Sequence, residues 1–207
     1  MSPSPVVQQL FPMVGPRSVA ELYDLSTRRR HRHRPWVVLT MISAADGSIA
    51  VDGHSAGLGN DTDRAIFSTL RRAAQVILVG GATVRADSYS PVPDHQQLVG
   101  VSASGNLGTN NDRLQASSST SVVTGDVTEI AGNLSGEVCV LEGGPSLNAQ
   151  MLAADLVDEV CLTLAPRFPA GTVGRLAHGP MADLEPWSLA HIAEDAGYVF
   201  LRYLRQR

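Results

Sequence analysis

Apolar residues in this chain come in short unbroken runs divided by glycine, proline and polar clusters. Trp36-Val37-Val38-Leu39-Thr40-Met41-Ile42-Ser43, residues 75–79, Val138-Cys139-Val140-Leu141 and residues 157–165 each read as a strand buried on both faces. Between the first two runs, Ala65, Ile66, Phe67, Leu70 and Ala73 recur at helical spacing, with Asn60 or Asp61 as cap and Arg64, Arg71 and Arg72 on the other sides. Weaker strand patterns cover residues 98–103 and 121–124, and residues 189–194 and 198–203 flank Asp195-Ala196-Gly197 as a closing hairpin. This alternation predicts an α/β fold in a single domain: a mostly parallel central sheet flanked by helices, with an antiparallel C-terminal hairpin. Irregular connections are expected around residues 89–121, including Asn110 and Asn111, and over residues 166–186.

The first 34 residues read as an arm that packs on the domain, with 35–207 as the domain itself. Val6, Val7, Leu10 and Phe11 are its apolar positions, and Ser18-Val19-Ala20-Glu21 has capping-box spacing for a short helix. Residues 28–34, Arg-Arg-Arg-His-Arg-His-Arg, read as a solvated connector, the alternatives being contact with nucleic acid or a cofactor phosphate.

Two strands end in glycine turns. Gly143-Gly144-Pro145 stop the run at residues 138–141 before Ser146, Leu147, Met151 and Leu152 resume with helical spacing, and Gly80-Gly81-Ala82-Thr83 repeat the pattern after residues 75–79. Backbone N–H groups at such a helix start suit a phosphate, and two such turns in one sheet suit the two ends of a dinucleotide. Glu142, at the carboxyl end of its strand, would border the ligand crevice of an open α/β sheet. Thr83 and Asp87, four residues apart, would face one way and grip a ribose or an amide. Turns in which the glycines serve geometry alone, with Thr83 capping a helix and Asp87 solvated, explain the same residues.

Composition narrows the chemistry. All 16 basic residues are arginine, which excludes a P-loop lysine, a Schiff-base lysine and a Ser-Lys dyad. A net charge of -4 argues against broad nucleic-acid binding, and no apolar run is long enough to span a bilayer. The start of the chain lacks the pattern of a signal peptide, so a cytoplasmic protein is expected, with Cys139 and Cys161 reduced inside apolar strands. Gly53-His54-Ser55-Ala56-Gly57 matches the nucleophile elbow of a serine hydrolase, with His178 or His191 as base, but an Asp-Gly turn precedes it where a strand is needed. No G-x-G-x-x-G follows the first strand, and the six histidines show no grouping for a metal.

Three motifs, in order, carry a resemblance: residues 34–50 from Arg34-Pro35-Trp36 through Asp46-Gly47-Ser48-Ile49-Ala50, then Ile77-Leu78-Val79-Gly80-Gly81-Ala82-Thr83-Val84-Arg85-Ala86-Asp87, then Leu141-Glu142-Gly143-Gly144-Pro145-Ser146-Leu147. The chain resembles the reductase domain of the riboflavin-pathway pyrimidine deaminase/reductase family, which has a dihydrofolate-reductase-like fold, uses NADPH and forms homodimers. The resemblance implies that Thr83, Asp87 and the turn Gly143, Gly144, Pro145, Ser146 and Leu147 hold NADPH. It implies that Ser55, Arg71 and Glu142 face a pyrimidine substrate, Glu142 being the catalytic position, and that the ribosylamino group is reduced to ribityl. Arg85 and Arg113 are the candidate cations for the adenosine 2′-phosphate. Family members usually carry lysine at Thr40, Ser-Leu at Ala44 and Ala45, an aromatic at Gly57 and an arginine near Asp94, so contacts to a phosphorylated sugar are thinned. Alternative readings are reduction of a dihydropterin or dihydrofolate, a serine hydrolase using Ser55, and a nucleotide-binding module without catalysis.

Overall fold

Alternation within the buried runs decides how the layers assemble. In the computed structural model, which describes residues 4–87, 89–108, 112–171, 174–180 and 186–207, the central strands are β3 (Trp36–Ala44), β4 (Val76–Gly80), β7 (Val138–Leu141) and β8 (Glu159–Ala165). Val38, Ile77, Val79, Val138 and Val140 pack on one face, beneath α2 (Asp61–Ala73) and α3 (Gly81–Ala86). Val37, Leu39, Val76, Leu78, Cys139 and Leu141 pack on the other, beneath α5 (Val127–Asn133) and α6 (Pro145–Ala153). Period-2 strands buried on both sides therefore make two apolar layers around one sheet.

With β1 (Val6–Phe11), β2 (Gly15–Ser18), β5 (Gln97–Val101), β6 (Thr120–Val123), β9 (Trp187–Asp195) and β10 (Tyr198–Arg205), the sheet has ten strands in the order β2-β1-β9-β10-β8-β3-β7-β4-β5-β6. The six from β8 to β6 are parallel; β9 and β10 form the expected hairpin, and β10 pairs antiparallel with β8. β7 enters between β3 and β4, so the carboxyl ends of these three strands, far apart in sequence, lie side by side.

Two features differ from the sequence expectation. The arm supplies strands as well as its short helix: β1 pairs with β9 and β2 with β1, while α1 (Val19–Leu22) starts at Ser18 with both capping-box hydrogen bonds. The basic run is a solvated connector only in part: Arg29, Arg30, Arg32 and His33 are exposed, while Arg28, His31 and Arg34 are clamped on buried carboxylates, and none of the seven lines the cleft. Arg28 Nε donates to Glu159 Oε2 at 2.8 Å, Arg34 grips Asp158 at 2.5 and 3.0 Å, and His31 Nε2 lies 2.9 Å from Asp158 Oδ1. Asp158 and Glu159 stand at the start of β8 with almost no solvent exposure, and buried carboxylates require such partners. The expected connections at Asn110 and Asn111, and parts of the 166–186 loop, lie outside the described residues.

Candidate active site

The strand alternation that places Val138 and Val140 under α2 gives Glu142 the same face, just beyond the end of β7. Arg71, in the last turn of α2, donates from Nε to Glu142 Oε1 at 2.7 Å. The Tyr89 hydroxyl donates to Oε2 at 2.9 Å, and the Arg71 guanidinium stacks over the Phe67 and Tyr89 rings at 5.2 and 5.5 Å. Burial raises the Glu142 carboxyl above its ordinary value, against the charge of Arg71 and the hydrogen bonds from Tyr89 and Arg71. Arg71 Nη2 is buried with no hydrogen-bond partner among the described residues, leaving a charged donor for a ligand.

Beside this triad the two glycine turns meet. Gly80 N donates to Gly143 O at 2.6 Å, and the Gly143–Gly144 peptide is cis. Gly143 has φ +84°, a backbone region that disfavours side chains, and a Cβ on Gly144 would stand 2.6 Å from Thr83 Oγ1. Gly144 caps α6 with no side-chain hydrogen bond, and Pro145 has no N–H, so the amides of Ser146 and Leu147 at the helix start have no intrahelical acceptor. Such a cradle, which side chains would fill, fits a dinucleotide phosphate.

These parts border a cleft of about 950 Å³ at the carboxyl ends of β3, β7 and β4. Seven of the expected site residues line it: Ser55, Arg71, Thr83, Asp87, Glu142, Gly144 and Pro145. The other three sit at its margin. Gly143 is buried in the turn, Ser146 is exposed on the first turn of α6, and the Leu147 side chain belongs to the core, so any contact from it is made by the backbone. Thr83 is not a helix cap, since Gly80 holds that position in α3; its hydroxyl faces Gly144 instead. Asp87 is half-buried at the end of α3, with His54 Nδ1 3.6 Å from its Oδ1.

The arrangement speaks to the other readings too. Ser55 opens a 3-10 turn (Ser55–Gly57) with no strand before it, and neither His178 nor His191 lines the cleft, so a nucleophile elbow is not formed. Arg85, in the last turn of α3, donates from Nη1 to Asn106 O at 3.4 Å. Sequence reasoning missed Tyr89, His54, Asp63 and Arg64, all on the cleft wall. An isolated tyrosine in a proline-rich stretch and a carboxylate in a first helical turn carry no pattern of their own; only contact across 53 residues gives Tyr89 its part.

Comparison with known proteins places the family and the fold. The chain is 28% identical over 179 residues to the 2,5-diamino-6-ribosylamino-4(3H)-pyrimidinone 5′-phosphate reductase of Methanothermobacter thermautotrophicus, covering 69% of this chain and 82% of that protein. A pyrimidine reductase-like protein from Corynebacterium diphtheriae superposes with a TM-score of 0.70 at 21% identity, covering 84% of this chain and 92% of that one. Dihydrofolate reductase from Enterococcus faecalis, solved with NADP(H) and RAB-propyl, superposes with a TM-score of 0.58 at 16% identity, covering 83% and 97%. The fold is thus dihydrofolate-reductase-like. The model of the RibD C-terminal domain matches residues 35–131 and 126–195, and the chain belongs to that family.

Proposed function

We propose that this chain is an NADPH-dependent pyrimidine reductase of riboflavin biosynthesis. It reduces the ribosylamino group of 5-amino-6-(5-phosphoribosylamino)uracil, or of a related pyrimidine, to ribityl. The observation that carries the reading is the buried Glu142, held between Arg71 and Tyr89 in the cleft wall next to the uncapped start of α6. In this reading residues 35–207 form the reductase and residues 1–34 its arm, in a cytoplasmic homodimer as the family resemblance implies. Among the described residues no helix is long and apolar enough to cross a membrane.

NADPH supplies a hydride. The reaction adds that hydride to the ribosylamino carbon and a proton to the sugar ring oxygen as the bond between them breaks. The chain's own residues position the partners. Gly144, Pro145 and the amides of Ser146 and Leu147 receive the cofactor phosphates, while Thr83 and Asp87 hold its ribose or amide. Glu142 accepts from pyrimidine N–H groups, and Arg71 Nη2 donates to a ring carbonyl. Hydride transfer depends on this alignment more than on a strong acid or base.

Titration with NADPH and NADH, then NADPH oxidation with the ribosylaminouracil phosphate and with dihydrofolate in parallel, tests the reading. Turnover of the pyrimidine supports it, turnover of dihydrofolate alone assigns another ring, and failure to bind either dinucleotide overturns it. Ser146→Asp places an anion against the phosphate cradle, and NADPH affinity is expected to fall at least tenfold, about 1.4 kcal/mol. Because a carboxylate in the first turn favours the helix itself, the loss reports on the ligand and not on folding. Unchanged affinity in a fluorescence titration would remove this turn from the cofactor site.

A further inference from the structure

The start of α6 is gripped by a part of the chain outside the strand ends that form the cleft. Residues 174–180, in the long connection between β8 and β9, lie along its first turn. His178 N donates to Pro145 O at 3.0 Å, and Asn148 Nδ2 donates to Leu176 O at 2.8 Å. A Cβ on Gly179 would stand 3.2 Å from Ala149 Cβ, so the segment is pressed against the helix. Pro145, Asn148 and Ala149 share one helix face, at spacings of three and four residues. Earlier in the same segment Gly174 approaches Ile49, on the cleft wall.

Asn148 is not the residue that packing alone would select. Its neighbours Leu147 and Met151 belong to the apolar core, and Asn148 itself has no solvent exposure. Its Oδ1 has no donor among the described residues. A half-satisfied buried amide costs stability that an apolar side chain would not. What the amide achieves is a link: one end holds Leu176, and the whole group lies beneath the cofactor turn, where a Cβ on Gly143 would stand 3.5 Å from Nδ2 and 3.7 Å from Oδ1. The segment so fastened brings His178 beside Pro145. Its side chain is exposed and has no partner among the described residues, and an imidazole offers an N–H to a phosphate oxygen in either charge state. Like the exposed Ser146, it flanks the cradle from outside the cleft.

We propose that residues 174–180 complete the cofactor cradle: His178 is a further contact for a dinucleotide phosphate, and Asn148 is the positioning residue that fastens the segment to the turn. This rests on the reading of the turn at Gly143 to Leu147 as the NADPH site. Strapping the helix start fixes its free amides before the ligand arrives, so less ordering is left to be done on binding.

The test is titration of the full chain with NADPH, in the wild type and in His178→Ala, Asn148→Ala and Gly179→Val. Gly179→Val pushes the segment off α6 without changing the helix, at a residue whose φ of +151° disfavours a side chain. Each substitution is expected to weaken NADPH binding about tenfold and to raise the KM for NADPH, with the KM for the pyrimidine unchanged. Because they act through one segment, His178→Ala combined with Gly179→Val should lose little more than either alone, whereas independent effects would multiply to about a hundredfold. Hydrogen exchange at the His178 amide reads the fastening itself and should quicken in Asn148→Ala and Gly179→Val alike. A purely structural Asn148 would lower the melting temperature and leave NADPH affinity as it was. Wild-type affinity in His178→Ala and Gly179→Val, or losses that multiply, overturns the proposal even where Asn148→Ala does not fold. If the wild type binds neither NADPH nor NADH, the cofactor reading fails and this one with it. If the wild type binds NADPH and the variants bind it equally well, this inference alone fails.

Discussion

Glu142→Gln is expected to lower kcat/KM for a pyrimidine substrate by about 30-fold or more while leaving NADPH affinity unchanged, a loss of ~2 kcal/mol from one charge-assisted hydrogen bond. The amide has nearly the shape of the carboxylate, so its oxygen still accepts from Arg71 and the cofactor turn is undisturbed. What disappears is the second acceptor, since one end of the amide carries N–H donors that face the donors of Tyr89 or of the substrate. Equal loss of cofactor binding and turnover would contradict a substrate-facing Glu142. The pH profile adds an independent reading. Because the Glu142 carboxyl is raised, it protonates on acidification before an ordinary glutamate at about 4.3 does, so the acid limb of kcat/KM should lie above that value and be absent in Glu142→Gln.

The largest stability effect is expected at the opposite end of the strands. Glu159, with no solvent exposure, accepts from Arg28 Nε, from Arg202 Nε and, at 3.2 Å, from Trp36 Nε1. Arg202 also donates to the Leu22 carbonyl and lies over the Tyr23 ring, joining the arm to β10, while its Nη2 has no partner among the described residues. Glu159→Ala strips the counter-charge from a buried guanidinium and should cost about 3–5 kcal/mol. At ~2–4 °C per kcal/mol for a chain of this size, the melting temperature falls by about 10 °C. Replacing both partners, Glu159→Leu with Arg202→Met, should recover most of that loss, because the isolated charge and not the missing attraction is the larger penalty. A double replacement as unstable as the single would show that the ion pair itself holds the arm down.

Asp158 beside it adds an acid sensitivity. Burial alone would raise its carboxyl, but hydrogen bonds from Arg34 and the Val37 amide, with the charges of Arg34 and His31, hold it below the ordinary value. A depressed folded value stabilises the fold above the unfolded value near 3.9, and that stabilisation is lost as pH falls from there through the folded value.

Local signals announced those parts of the fold that depend on near neighbours. The unbroken apolar runs of β3, β4, β7 and β8, the Asn60 cap, the Ser18 capping box and the Asp195-Ala196-Gly197 turn each act within a few residues, so the amino-acid order alone determined them. The same holds for the glycine turn after Leu141 and for Glu142 at its strand end. Tertiary structure decided what those residues meet. Arg71 and Glu142 are 71 residues apart, Arg28 and Glu159 are 131 apart, and no periodicity links such pairs. Whether an arginine is solvated or clamped depends on the burial of a distant carboxylate, which is how Arg28 and Arg34 came to be held by Glu159 and Asp158 while Arg29, Arg30 and Arg32 stay exposed. Insertion of β7 between β3 and β4 brings Gly144 against Thr83 and Glu142 against Tyr89, because parallel pairing aligns strand ends without regard to their distance along the chain.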